Sequence, residues 1–282
     1  MSAAPDRPTV AIQGEPASNS ALAAAQFFAA DVGLAPCTTF AELFAAVADG
    51  RAHYGMAPVE NSLAGSIHQT WHLLVEKPLP VIGEIYFHVD HCLVAHPGVR
   101  LKELHRVYSH EQALAQCQNF LRHSLEHAEQ KEAYDTAGAV QMIKRENWKD
   151  AAAIAPERAA LNHGMQVLAR NIQTNPDNYT RFLILAGQTR AFSEQPLKTT
   201  LVLRMHDTAR HLPAVLARLE ELHIETHKIE TRKHLGHPWE YLVYVELAGN
   251  ATEADIAAAI KEMRPRAQSL HLVGTYPAAA RP

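Results

Sequence analysis

The chain has 282 residues, 47% of them apolar, with a formal charge of −4 and a pI near 6.5. That length is too great for one small core and suits two domains, and a near-neutral balance without a run of Lys or Arg excludes a nucleic-acid footprint. Cys37, Cys92 and Cys117 are odd in number and widely spaced, Met1–Pro8 carries no apolar signal-peptide core, and no apolar run is long enough for a bilayer; these features imply a soluble, cytoplasmic protein without disulfides or a membrane partner.

Thr9–Gln13 reads as the first strand, broken by Gly14, and Ser18, Asn19 and Ser20 offer N-cap oxygens to a helix reaching about Ala30. Thr39 and Glu42 make a capping box for a helix whose Phe40, Leu43, Phe44 and Val47 share one buried face. Val81–Ala95 is too long and β-rich for one strand and reads as two joined by a crossover between lobes. A second α/β set follows: strand Arg106–Tyr108, one helix near Gln112–Arg122, a helix capped by Asp135 or Thr136, strand Ala151–Ala155, and a short helix opened by Pro156. The chain then returns to the first lobe through Gln166–Ile172 and Arg181–Leu185. Residues 8–187 thus form a two-lobed α/β domain, lobe 1 at about 8–87 and 166–187 and lobe 2 at about 88–165. Two crossings leave a cleft, a favoured place for a small ligand. Beyond a linker at Gly187–Leu197, residues 198–276 show a βαββαβ pattern, a ferredoxin-like unit.

Polar clusters sit at element ends: Gly14–Ser20, Pro58-Val59-Glu60-Asn61-Ser62, Tyr108-Ser109-His110-Glu111-Gln112-Ala113-Leu114, and Asn178-Tyr179-Thr180-Arg181-Phe182. Singly, each is a cap or turn serving the backbone. In this order, and joined by Leu63-Ala64-Gly65, Ala115-Gln116-Cys117, Asp135-Thr136-Ala137-Gly138-Ala139 and Ala152-Ala153-Ile154-Ala155, they resemble the prephenate dehydratase family over nearly the whole chain.

The resemblance implies a catalytic domain like a type II periplasmic binding protein, followed by an ACT regulatory domain. It implies conversion of prephenate to phenylpyruvate, water and carbon dioxide in phenylalanine biosynthesis, without metal or cofactor. Thr180 would donate the proton to, or polarise, the leaving hydroxyl. A dianionic substrate asks for a cation and neutral donors: Arg181 would fork onto a carboxylate, with Ser18, Ser20, Asn61, Ser62, Ser109, Gln112, Thr136 and Phe182 forming the rest of the site. Glu60, a carboxylate near a dianion, would have to point away or be paired. Three positions depart from the family's pattern. Ala17 stands where a second glycine is usual, which costs about 1 kcal/mol if φ is positive there; His72 and Thr174 stand where acids are common.

For the ACT domain the resemblance implies an L-phenylalanine effector and a homodimer or homotetramer through this domain. An ungapped alignment from Lys198 to Glu230 puts Ala209-Arg210-His211-Leu212 on the turn that admits the effector and Glu230-Thr231-Arg232 on the second effector segment. Arg210 and His211 would fill space that small residues leave open, so altered control by phenylalanine is expected. The rival alignment places Pro213–Leu216 on the turn. Of 18 histidines, the pairs His68/His72, His123/His127 and His223/His227 lie at i, i+4 but lack a third ligand in the sequence, so no metal site is expected. Arogenate dehydratase, and a non-catalytic solute receptor or amino-acid sensor, remain as alternatives.

Overall fold

Strands and helices follow from alternation at periods of 2 and 3.6. The computed structural model describes residues 7–29, 32–193, 196–205, 207–234 and 236–282. The expected helix end at Ala30 and part of the expected linker lie outside the described residues. The elements begin with β1 (Thr9–Gln13), α1 (Asn19–Phe28), β2 (Gly33–Cys37), α2 (Phe40–Ala48), β3 (Tyr54–Asn61), the short β4 (Gly65–Ser66), α3 (His68–Glu76) and β5 (Val81–His88). Then come β6 (Cys92–Ala95), β7 (Arg106–Ser109), α4 (Glu111–Gln116), α5 (Gln118–Ser124), β8 (Glu129–Glu132), α6 (Thr136–Arg145), β9 (Ala151–Ala155), α7 (Glu157–His163), β10 (Gln166–Ala169) and β11 (Tyr179–Ala186). The last part holds β12 (Leu197–Met205), α8 (Thr208–Glu221), β13 (Thr226–Lys233), β14 (Tyr241–Ala248), α9 (Ala254–Met263) and β15 (Ser269–Pro277).

These strands form three sheets, ordered β2-β1-β3-β11-β5 (with β4 on β3), β10-β6-β9-β7-β8 and β13-β14-β12-β15. The chain divides into two units, one formed by the residues up to Thr70 with Ile85–Leu183, the other by Trp71–Glu84 with Ile184–Pro282. The predicted break in Val81–Ala95 is present: β5 and β6 lie in different sheets, with residues 89–91 crossing between lobes. The return crossing lies later than expected. Gln166–Ala169 pairs antiparallel with β6, so it belongs to the second lobe, and only β11 re-enters the first. Its apolar Val167 and Leu168 pack into the second lobe's core clusters.

The predicted helix over Gln112–Arg122 is two helices. Cys117, fully buried, leaves helical geometry at φ −104° and ψ 13° and joins α4 to α5. At α2 Thr39 accepts from the Glu42 N–H at 3.1 Å, as a capping box requires, but Glu42 returns its carboxylate to the N–H and hydroxyl of Thr38, one residue earlier. Those bonds hold the Glu42 carboxyl below its usual range. All three cysteines are free and buried, and burial pushes the Cys117 thiol up to about 12.

In the second unit, β12-α8-β13-β14-α9-β15 makes an antiparallel sheet in which the first and third strands are central. This is the ferredoxin-like order. Leu201, Leu203, Val243, Val245 and Leu247 on one sheet face pack with Val215, Leu219, Ile256, Ala259 and Met263 of α8 and α9. Among the described residues no helix is long and apolar enough to cross a membrane.

Candidate active site

Between the two lobes of the first unit lies a cleft of about 310 Å³. Its walls are built where helices begin. Ser18 caps α1, accepting from the Ala21 N–H; Asp135 caps α6, accepting from the Gly138 N–H at 2.5 Å. Thr136, expected as a possible cap, is therefore the first helical residue. His110 caps α4. Ser18, Asn19, Ser20, Asp135, Thr136, His110 and Gln112 all line the cleft. The first N–H groups of a helix lack intrahelical acceptors and carry the positive end of its dipole, so these walls suit an anion.

Two lobes meet across the cleft at its first loop. Glu15 N–H donates to the Asp135 carboxylate at 3.0 Å, Gln13 Nε2 donates to the Tyr134 hydroxyl at 2.9 Å, and that hydroxyl donates to the Thr38 carbonyl. Gly14 stands at φ +98°, and a Cβ there would lie 3.1 Å from the Asp135 carboxylate, so both conformation and closeness require glycine. Ala17 also has a positive φ, +82°. The departure noted in the sequence is thus a strained alanine, and its buried methyl packs into the core of the second lobe.

The floor is an amide network. Asn61 Nδ2 donates to Asn178 Oδ1 (2.9 Å), the Tyr179 carbonyl (3.1 Å) and Thr180 Oγ1 (3.1 Å). Asn61 Oδ1 accepts from the N–H groups of Leu63 (3.0 Å) and Ala64 (2.9 Å), and from Gln116 Nε2 at 3.4 Å. Gln116 Oε1 in turn accepts from Asn178 Nδ2 and pairs with His91 Nε2, each at 2.9 Å. Because that oxygen can only accept, the His91 proton sits on Nε2; burial lowers its pKa, leaving it neutral. The same logic fixes Thr180. Its oxygen already accepts from Asn61, so its own proton is directed elsewhere, and Thr180 lines the cleft.

Seven of the expected residues reach the cleft: Ser18, Ser20, Asn61, Gln112, Thr136, Thr180 and Phe182. Three do not. Ser109 is fully buried and donates to the Ile154 carbonyl at 2.6 Å. Ser62 donates to the Asp177 carbonyl (2.8 Å) and accepts from the Tyr179 N–H (2.9 Å), fastening the approach to β11. Arg181, expected as a substrate ligand, lies on the far face of β11. Successive residues of a strand face opposite ways, so Thr180 and Phe182 turn to the cleft while Arg181, 3% exposed, meets Glu60 at 3.8 Å and the Tyr86 ring at 5.8 Å. Neighbouring strands thus put Asn61 with Thr180 on one face and Glu60 with Arg181 on the other. The expectation that Glu60 is paired or points away holds for this geometry.

His91 and Gln116 line the cleft and Asn178 is bonded beneath it to Asn61 and Gln116; sequence reasoning selected none of the three. Gln116 and Asn178 stood inside quoted motifs; His91 had no motif. In the second unit, Ala209-Arg210-His211-Leu212 is not a turn. Asp207 caps α8, accepting from the Arg210 N–H at 3.1 Å, and all four residues lie in its first two turns, as does Pro213, so the rival alignment offers no turn either. Leu212 packs against the helix–sheet core. Glu230 is engaged by Lys228 (3.0 Å) and Arg232 (2.6 Å) along β13, and Thr231 and Arg232 are exposed.

The family model for prephenate dehydratase matches residues 10–190. The chain is 37% identical over 285 residues to arogenate dehydratase 1 of Petunia hybrida, covering 95% of this chain and 66% of that protein. It is 33% identical over 271 residues to the bifunctional chorismate mutase/prephenate dehydratase of Aquifex aeolicus, covering 96% and 74%. Among solved structures it is similar to the prephenate dehydratase of Arthrobacter aurescens in complex with L-Phe, with 29% identity, a TM-score of 0.85, and coverage of 96% of this chain and 90% of that one. It is similar too to GqqA, described as a novel type of quorum quenching acylase, at 30% identity and TM-score 0.84, with coverage of 96% and 98%. The chain spans about two thirds (66%) of the length of the first curated relatives it matches.

Proposed function

Because this chain belongs to the prephenate dehydratase family, we propose that it converts prephenate to phenylpyruvate, water and carbon dioxide, with Thr180 as the group that assists the leaving hydroxyl. As the ring carboxylate departs as carbon dioxide, its C–C electron pair enters the ring and expels the hydroxyl, which needs a proton. One observation carries the assignment: the Asn61 amide donates to Thr180 Oγ1 and so cannot take the threonine proton, and Thr180 lines the cleft. A threonine hydroxyl is a weak acid, so it acts as a polarised donor that recovers its proton from water.

No Lys or Arg is among the described residues lining the cleft. The substrate carboxylates are instead assigned to the beginnings of α1 and α6, with Ser18, Ser20, Gln112 and Thr136 as side-chain donors. An acylase, as one structural relative is described, would need a nucleophile activated by a base. Ser109 and Ser18 are instead tied to the backbone, and Thr180 meets an amide. The elimination reading fits this arrangement better.

The test is a parallel assay of prephenate and arogenate with the wild type, Thr180→Ala and Thr180→Ser. Expected is prephenate turnover that falls at least ~10²-fold in kcat for alanine and largely survives in serine. Undiminished turnover by Thr180→Ala would overturn the role; a strong preference for arogenate would move the activity to arogenate dehydration. We further read the βαββαβ unit as an ACT domain in a homodimer or homotetramer, with L-phenylalanine as effector. The L-Phe complex of the Arthrobacter relative supports this reading, as do the edge strands β13 and β15, which offer pairing surfaces. The free, buried cysteines fit a reducing cytoplasm.

A further inference from the structure

The cleft's polar residues include one donor that the proposed reaction leaves without a role. His110 stands directly after β7, where the strand's alternation turns Ser109 inward to the Ile154 carbonyl and leaves His110 exposed on the cleft wall. β7 and β8 run parallel, with Ser109 opposite Glu132, and the Ala133 N–H continues the pairing onto the Ser109 carbonyl at 2.8 Å. The chain then enters α6 at Asp135 and Thr136. His110 and Thr136 therefore follow the carboxyl ends of neighbouring parallel strands, the side of an α/β sheet where small ligands collect.

A cap sets the state of the ring. The Gln112 N–H donates to His110 Nδ1 at 3.3 Å. A neutral imidazole has one acceptor nitrogen and one N–H, so the proton sits on Nε2. That N–H meets no hydrogen-bond partner among the described residues. His91, the other histidine of the cleft, differs: its Nε2 proton serves Gln116 at 2.9 Å.

We propose that His110 Nε2–H donates to the side-chain carboxylate of the substrate, the one that survives the reaction. This contact belongs to the dehydratase reading above and rests on it. No Lys or Arg among the described residues lines the cleft, so a dianion there is held by neutral N–H and O–H donors. The choice between the carboxylates follows from the chemistry. The ring carboxylate leaves as carbon dioxide, and its charge passes into the ring as the C–C bond breaks. A hydrogen bond to it is stronger before departure than during it, which slows the step. The side-chain carboxylate keeps its charge throughout, so a donor there binds substrate and transition state alike and lowers KM. Phenylpyruvate retains that carboxylate and with it the contact.

Two substitutions separate the distal donor from the cap. His110→Asn keeps an acceptor at the place of Nδ1, and asparagine is a good N-cap, but nothing remains at Nε2. His110→Gln carries its amide to the place of Nε2 and gives up the cap. On the full chain, the experiment measures melting temperature, steady-state kinetics with prephenate, and calorimetric binding of phenylpyruvate. Expected for His110→Asn is a wild-type melting temperature, kcat within about threefold, and a KM raised about 10- to 100-fold, the strength of one hydrogen bond to a charged group. Phenylpyruvate binding should weaken by the same factor. His110→Gln should melt earlier yet hold both ligands better than His110→Asn. Unchanged KM and phenylpyruvate affinity in His110→Asn would overturn the proposal, as would a loss confined to kcat. A wild type that binds both ligands but turns over neither prephenate nor arogenate would instead remove the reaction, and the ratio of phenylpyruvate affinities would still decide His110.

Discussion

Replacing Asn61 by aspartate changes one NH2 into one oxygen and leaves the rest of the side chain in place. The retained Oδ1 still accepts from Leu63 and Ala64, so the turn between β3 and β4 survives. What is lost is the donor that serves Asn178 Oδ1, the Tyr179 carbonyl and Thr180 Oγ1. The amide has two protons for these three acceptors. At a net 0.5–1.5 kcal/mol per neutral hydrogen bond the loss is about 1–3 kcal/mol, and a carboxylate facing buried acceptors adds to it. A destabilisation of roughly 2–4 kcal/mol at neutral pH is expected. Burial among acceptors raises the pKa of the new carboxyl above its unfolded value. The sign follows: the variant approaches wild-type stability below the unfolded carboxylate range and falls away from it as pH rises. Catalysis suffers for a separate reason. Thr180 would turn its proton to the introduced carboxylate, so kcat should fall at least ~10²-fold. Urea unfolding at pH 4.5 and pH 8 with steady-state assays at pH 8 checks both effects. Wild-type kcat with unchanged stability at pH 8 would refute the donor assignment.

Arg181→Met should lower thermal stability while leaving KM for prephenate within about threefold, because the side chain meets Glu60 and Tyr86 rather than the cleft; a tenfold or greater rise in KM at unchanged stability would return Arg181 to the substrate. Glu240, held by the Arg204 guanidinium at a pKa of about 2, contributes stability that is present above the unfolded carboxylate range and lost as pH falls toward 2. The melting temperature of the wild type should therefore drop toward that of Glu240→Gln on acidification, and parallel curves would contradict the pairing. Calorimetry with L-phenylalanine, with light scattering at micromolar concentration, tests the regulatory reading: altered affinity and at least a dimer are expected, and a monomer that binds no amino acid would remove the ACT assignment.

Much of the fold was legible because its signals are local. Thr9–Gln13, the break inside Val81–Ala95 and the βαββαβ order all follow from alternation and turn residues, and the structure places them accordingly. Gln166–Ala169 was not legible in the same way. Val167 and Leu168 would suit either sheet, and only pairing with β6 assigns the strand. The site divides similarly. Caps such as Ser18 and Asp135 announce themselves by residue type, whereas Gln116 and His91 join the network through contacts 55 and 25 residues apart. Arg181 shows how placement needs more than charge: charge complementarity suggested a substrate ligand, while the alternation in Thr180-Arg181-Phe182 sends neighbours to opposite faces.

The first loop has a consequence for turnover. Gln13, Glu15 and Ala17 reach across to Tyr134, Asp135 and the second lobe's core, and Tyr134 reaches back to the Thr38 carbonyl, so opening the cleft breaks at least three hydrogen bonds and withdraws a buried methyl. A substrate that offers one carboxylate to α1 and the other to α6 strengthens that closure by bridging the lobes. Phenylpyruvate has given up one carboxylate as carbon dioxide and can hold only one side. On the proposed reaction, then, decarboxylation removes the bridge itself, and the chemistry that makes the product also loosens the clasp that detains it.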